Sequence, residues 1–301
     1  MKDFEISIIK ALRDLSTPFI DGLLQAITFL GEQYVLIALL AVVYFIFDKK
    51  AGQRIAYAIF TSLSLNGAVK GIVKYERPFV YDTSYDPVRV ETATGYSFPS
   101  GHTQNASVVY TAIALQFKKK WLIWVAGILV VLIGVSRVGL GVHYPKDVIV
   151  GWIFGIGCAF LGNYLHRKFE DDIKKQALLY VITFALFLPF VFIFWRKDFA
   201  DIKIYKDFYT GFSMFAGFII GSLLERKFVD FNCQAPLPKR LLRLFGAIIC
   251  VLLTQFGLAM VFPAGFILLD MFRYFLVSFV TLGLYPIIFK NNLFKNSVSK
   301  K

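Results

Sequence analysis

The sequence predicts an all-α, multi-span helical membrane protein, and three observations carry that prediction. Hydrophobic residues make up 57% of the 301 residues, 33 of them Phe, and mean hydropathy is +0.63, too apolar for a soluble domain of this length. Apolar runs of about 15 to 25 residues, the length that crosses a bilayer, recur along the whole chain. Lys and Arg are concentrated in the short connections between them, the pattern of membrane loops. The net charge of +13 is therefore read as loop charge, and nucleic-acid binding is set aside because no soluble basic domain carries it.

In chain order, residues 4–30 come first. Phe4, Ile8, Ala11, Leu12 and Leu15 share one side of a helical repeat, and after Pro18 so do Phe19, Leu23, Ala26, Ile27 and Leu30. With Asp3, Asp14 and Asp21 interspersed, they predict two amphipathic helices lying in the membrane interface. The first 19 residues hold six charges and no long apolar core, so they do not read as a signal peptide. Five spans follow at about 33–47, 51–73, 103–117, 121–136 and 148–165. Four more, at about 177–195, 208–224, 241–262 and 266–289, form a C-terminal bundle and bring the expected total to nine. The expected division is 1–30 interfacial helices, 31–170 a five-span core and 171–301 an accessory four-span bundle.

Polar residues that a bilayer disfavours are concentrated in three stretches of that core. Lys70 and Arg77 are seven apart, nearly on one helix face, and Pro78 is expected to end their helix. Arg77, preceding a proline, is pushed out of the α region and can turn back over the helix end. Pro99-Ser100-Gly101-His102 reads as a turn with Ser100 as N-cap, whose free N–H groups would face an anion. In the third stretch, Ser136-Arg137 leads through Gly139 and Gly141 to His143, Pro145 and Asp147. Pro145 suits the first position of a helix, which places Asp147 in its first turn.

Singly, each stretch has a structural explanation: interfacial cations, a helix start, an i, i+4 pair. Together they place two of only three histidines and three cations at the ends of adjacent spans, and ionisable groups there are functional by default. The set can hold a phosphate and attack it. Asp147 could orient His143, but the residues alone leave open which histidine is the nucleophile.

Lys-x6-Arg-Pro, Pro-Ser-Gly-His and Ser-Arg-x5-His-x3-Asp resemble the full signature of the phosphatidic acid phosphatase type 2 and vanadium haloperoxidase superfamily, over roughly residues 1–166. The resemblance implies a core bundle of that kind and a metal-independent membrane lipid phosphatase that works through a phosphohistidine. His143 would attack phosphorus, Asp147 orient it, and His102 protonate the leaving oxygen and then activate water. Lys70, Arg77, Ser100, the Gly101 amide and Arg137 would hold the remaining oxygens. No cofactor and no metal are expected, since neither His-Glu-x-x-His nor clustered Asp or Cys is present.

The expected partner is a lipid phosphate in the membrane, phosphomonoester or diphosphate, polyprenyl diphosphate included. The four added spans resemble the layout of sphingoid-base-1-phosphate phosphatases. Transfer of the phosphoryl group to a second lipid, and a non-catalytic lipid carrier, are the competing functions. The excess of Lys and Arg on the side away from the motifs predicts a multi-pass protein of the plasma (inner) membrane with its active site on the non-cytoplasmic side.

Four further features are less specific. Residues 79–98 form either a lid over the site or a solvated connection. His166 is expected to be an ordinary residue at a span end. Asp270 and Arg273, one turn apart in the last run, either recognise a headgroup or neutralise each other. Gly151-x3-Gly155 and Gly217-x3-Gly221 predict close helix packing, and Cys158, Cys233 and Cys250 show neither a disulfide framework nor zinc spacing.

Overall fold

The structure is a computed structural model that describes residues 2–263 and 265–295. Those residues contain helices and no strand. The chain forms two compact units, 1–37 with 62–161 and 38–61 with 162–301. The cuts fall inside three helices, Gln33–Val42, Lys49–Val73 and Pro145–Phe169.

In the first unit, α1 (Lys2–Asp14) and α2 (Pro18–Phe29) occupy the expected positions. Thr17 caps α2 by accepting from the Ile20 N–H (3.3 Å), and Pro18 takes the first helical position, where its missing N–H costs nothing. The predicted apolar stripe faces outward: Phe4, Leu15, Phe19 and Leu23 are all exposed. The opposite side of α1 docks on the protein, with Ile6 and Ile9 buried against Tyr85, Val138, Tyr144 and Val148. In lipid the apolar face needs no protein partner, so the polar-edged face packs inward.

The first span is a correction. Pro18–Phe29 and Gln33–Phe47 form a pair bent by 42° that is long and apolar enough to cross a membrane only when taken together. Within it α3 covers Gln33–Val42, followed by a π-helical turn at Val43–Phe47. Next, α4 runs Lys49–Val73 and stops at Lys74, whose φ of 51° is the left-handed stop common at helix ends. Arg77 therefore does not continue the helix of Lys70, and Pro78 is not what ends it. Instead Arg77 is the extended N-cap (φ −68°, ψ 148°) of a one-turn helix, α5 (Pro78–Tyr81), in agreement with the restriction proline places on its predecessor.

Three helices complete this unit: α6 (Gly101–Phe117), α7 (Lys120–Gly139) and α8 (Pro145–Phe169). At 17 residues, α6 is about 26 Å long and carries Gln104, Asn105 and Ser107, so it falls short of a span by length and composition. Seven helices among the described residues qualify, or up to eight if the bent pair counts as one, against the nine expected.

Side-chain amides tie α6 to α4. Asn66 Nδ2 donates to Gln104 Oε1 (2.8 Å), and Gln104 Nε2 donates to Ser62 Oγ (2.9 Å). Glycines bring α8 against α6: a Cβ on Gly155 would fall 2.5 Å from Ser107 Cβ, and one on Gly151 3.1 Å from Ser100 O. This contact sets the N-terminal ends of the two helices side by side.

The second unit holds α9 (Ile173–Ile193), α10 (Phe199–Ile202), α11 (Lys206–Phe228), α12 (Leu237–Leu252), α13 (Leu258–Val261), α14 (Ile267–Phe279) and α15 (Tyr285–Ile288). All four C-terminal spans expected from the sequence are present. Gly217 and Gly221 of α11 do mediate close packing, since a Cβ on Gly221 would meet Gly283 N at 3.2 Å. Charges here are paired: Lys49 with Glu225 (2.9 Å) and Asp230 (2.7 Å), and Arg54 with Glu170. His166 departs from expectation. It is fully buried, with Nδ1 on Glu170 (3.1 Å) and Nε2 on Tyr180 Oη (2.8 Å) and Gln176 Nε2 (3.1 Å), because three polar partners replace the water it would otherwise need.

Candidate active site

The turn between α7 and α8 carries His143. Gly141, at φ +75°, makes the turn possible, and a Cβ there would fall 2.7 Å from the Tyr85 ring. Pro145 then starts α8, and Asp147 in its first turn folds back on the turn. Its Oδ2 accepts from the Tyr144 N–H (3.1 Å), from Ser97 Oγ (2.5 Å) and from His143 Nδ1 (3.1 Å).

Arg77 approaches the other side of the ring. Its Nη1 lies 2.8 Å from His143 Nε2, and a guanidinium can only donate, so Nε2 carries the lone pair and Nδ1 the proton. The geometry thus gives His143 the tautomer that a nucleophile acting through Nε2 needs, with Asp147 holding the other nitrogen. His102 does not share that carboxylate.

Burial, reinforced by Arg77, Arg137 and Lys70, holds the His143 pKa well below the usual imidazole value. The ring is therefore neutral at pH 7.

The remaining predicted residues gather around this pair. Ser100 donates its N–H to the Asp147 carbonyl (3.0 Å), linking the α6 start to the α8 start. Its Oγ accepts from Thr103 Oγ1 (2.9 Å) and, weakly, from the Thr103 N–H (3.5 Å), so it is the N-cap that the turn predicted. Lys70 points at the same helix end, its Nζ 3.9 Å from where a Gly101 Cβ would stand. His102, half-buried in the first turn of α6, sits in the same cationic surroundings: burial, reinforced by Arg137 and Lys70, holds its pKa well below the usual imidazole value. Arg137 is fully buried on α7, donates to Thr28 Oγ1 (3.1 Å), and leaves its Nε without a partner. All eight predicted residues are brought to one end of the first unit.

Sequence reasoning missed what orients them. Residues 89–97, part of the connection read as lid or solvated loop, touch three members of the cluster. Thr92 Oγ1 accepts from Arg137 (3.4 Å), the Thr94 and Gly95 carbonyls accept from Arg77 (2.6 and 3.2 Å), and Ser97 holds Asp147. The connection is itself fastened. Lys10 pairs with Asp82 (2.9 Å), Arg13 donates to the Asp86 carbonyl (2.9 Å), Tyr85 donates to the Gly141 carbonyl (3.0 Å), and Arg89 pairs with Glu32. It is a wall of the site rather than a solvated connection.

Glu5 of α1 completes the frame, accepting the Lys146 N–H (3.0 Å) and pairing with its Nζ (2.9 Å). The only signal for Ser97 was its place three residues before Ser100. Nothing in the spacing pointed to Glu5, Thr28 or Thr92.

An electropositive pocket with a neutral, oriented imidazole can bind a phosphoryl group and attack it. Among the described residues no group of three or more His, Cys, Asp or Glu is placed to hold a metal ion.

The model of the PAP2 superfamily matches residues 51–171, and that of the PAP2 superfamily phosphatase transmembrane extension matches residues 209–296. The chain is 31% identical to phosphatidylglycerophosphatase B of Bacillus subtilis, over 56% of this chain and 84% of that protein. It is 30% identical to an undecaprenyl-diphosphatase of Sulfolobus acidocaldarius, over 57% of this chain and 85% of that protein. Among solved structures, a transmembrane PAP2-type phosphatidylglycerolphosphate phosphatase of Bacillus subtilis superposes with a TM-score of 0.48 at 29% identity, covering 55% of this chain and 86% of that one.

Proposed function

The chain belongs to the PAP2 superfamily, and from that premise we propose that it is an integral membrane phosphatase that releases phosphate from a lipid phosphomonoester or diphosphate. The observation that carries this reading is the ordered series Asp147, His143, Arg77, with a carboxylate on Nδ1 (3.1 Å) and a guanidinium on Nε2 (2.8 Å). Relatives named as phosphatidylglycerophosphatase and undecaprenyl-diphosphatase support both substrate classes.

In the mechanism we assign, the phosphoryl group enters between His143 and His102 and takes over the hydrogen bond that Arg77 makes to Nε2. The Nε2 lone pair attacks phosphorus as the bond to the leaving oxygen breaks, and His102, protonated once the bound phosphate offsets the surrounding cations, gives that oxygen its proton. Asp147 stabilises the positive charge that develops on the His143 ring. Lys70, Arg77, Arg137, the Gly101 N–H and Ser100 balance charge on the equatorial oxygens. His102 then takes a proton from water, which attacks phosphorus, breaks the P–N bond and frees phosphate. Three cations supply the charge that a metal ion supplies in other phosphoryl-transfer sites.

Residues 31–170 carry the catalysis in this reading, and 171–301 form an accessory bundle. The site opens on the non-cytoplasmic side of the plasma membrane, a placement supported by the Lys and Arg bias of the connections. The test is a panel of lipid monophosphates and diphosphates offered to the purified protein with and without EDTA. Release of phosphate by wild type but not by His143→Ala is the expected result. Turnover by His143→Ala at the wild-type rate would remove the assignment.

A further inference from the structure

The sequence pairs Asp270 with Arg273, but in the structure Asp270 serves two cations. Arg273 Nη2 lies 2.6 Å from its Oδ1, and Nζ of Lys206, the first residue of α11, lies 2.7 Å from its Oδ2. One carboxylate cannot neutralise both, so the cluster keeps one positive charge. Arg273 is mostly buried, and its Nε is enclosed without a partner.

Beside it Tyr274, whose ring stands 5.3 Å from the guanidinium, accepts from Gln255 Nε2 (3.3 Å), while Gln255 Oε1 is also enclosed without a partner. Rotating that amide by 180° lets the tyrosine hydroxyl donate to its oxygen and turns the two amide hydrogens toward the unpartnered side. Gln255 lies in the π-helical turn Leu253–Gly257, a distortion found disproportionately at functional positions.

These groups share one level of the second unit. Lys206 begins α11, Asp270 lies in the first turn of α14, and Gln255 is within two turns of the end of the helical run that closes at Val261. Helix ends of spans lie at headgroup depth. Met260, Val261, Phe266, Leu268 and Phe272 around that level are all exposed and apolar, which suits acyl chains. Surplus positive charge with unsatisfied N–H donors selects an anion with several acceptor oxygens.

We propose that Arg273, Lys206 and Gln255 hold the phosphate of an anionic lipid headgroup, in a site made wholly by the C-terminal unit. The proposal does not depend on the His143 assignment. Its probe is phosphatidylglycerol, a phosphodiester, offered to the full-length protein in phosphatidylcholine nanodiscs and counted by native mass spectrometry. Wild type is expected to retain phosphatidylglycerol in preference to phosphatidylcholine. Arg273→Gln and Lys206→Gln should each lower that occupancy roughly tenfold, the scale of one lost charge-assisted contact, and Arg273→Lys should keep most of it.

Thermal melting and phosphate release show that each variant is folded. Should Arg273→Gln fail to fold, Lys206→Gln decides, since the Lys206 side chain is 37% exposed. Unchanged phosphatidylglycerol occupancy in a folded variant overturns the site. Equal retention of the two lipids by wild type does the same. Arg273-dependent binding of inorganic phosphate in pure phosphatidylcholine discs, with no competition from phosphatidylglycerol, would make it a soluble-anion site and overturn the headgroup assignment.

Discussion

Asp147 Oδ2 is the most shared atom of the site, taking hydrogen bonds from Ser97, Tyr144 and His143. A buried hydrogen bond to a charged group contributes about 1.5–3 kcal/mol, so Ser97→Ala is expected to lower kcat by roughly 10- to 100-fold. KM should change little, because Ser97 acts through Asp147 and not on the substrate. Ser97→Thr, which keeps a hydroxyl, should restore much of the loss in a phosphate-release assay. His143→Ala should cost at least about 10³-fold, as loss of a nucleophile does elsewhere, while folding and insertion persist.

The depressed His143 pKa also fixes the sign of a pH effect. Burial and the nearby cations disfavour the imidazolium, so the acid limb of kcat/KM should lie below pH 6.5, the ordinary imidazole value. Removing a cation reverses part of this, and Arg77→Ala should raise the His143 titration midpoint seen by histidine NMR. Stability follows the same sign. The unfolded chain takes up this proton near pH 6.5 and the folded chain does so only at lower pH. The contribution is full above that value and is lost as pH falls through the folded pKa.

At the scale of elements, the contact between α6 and α8 places Ser100 to His102 beside Asp147. Gly155 permits it, since a Cβ there already meets Ser107 at 2.5 Å. Overpacking of this kind costs about 1–3 kcal/mol, but the larger effect should be on geometry. Gly155→Val is expected to reduce activity more than 100-fold with a melting temperature lowered by only a few degrees. Activity measured beside thermal melting checks this, and equal loss of both would make the contact a matter of stability alone. The α1 helix makes a second such support through Glu5 and Lys146. Its helical period was readable from residues 4–15, but its inward face was not, because a stripe of apolar residues faces lipid as readily as it faces protein.

For the whole molecule, catalysis by side-chain cations alone predicts full activity in EDTA and inhibition by vanadate, which adopts the five-coordinate geometry of phosphorus in flight. Strict dependence on Mg²⁺ in the same assay would overturn that mechanism. The matched transmembrane extension, residues 209–296, includes Asp270 and Arg273, and Asp270 also pairs with Lys206 just ahead of it.

Hydropathy and spacing by themselves determined the membrane class and the four C-terminal spans, and they singled out the eight residues proposed here as the phosphate site, because apolar run length and rare polar residues at fixed intervals are local properties. Tertiary structure alone decided that the bent Pro18–Phe29 and Gln33–Phe47 pair and the short α6 break the expected count of spans. It also decided that Arg77 reaches His143 from outside the helix of Lys70, and that residues 89–97 brace the site. Each of those depends on which distant groups meet. A hydrogen bond between residues 50 or 60 positions apart leaves no period in the chain that carries it.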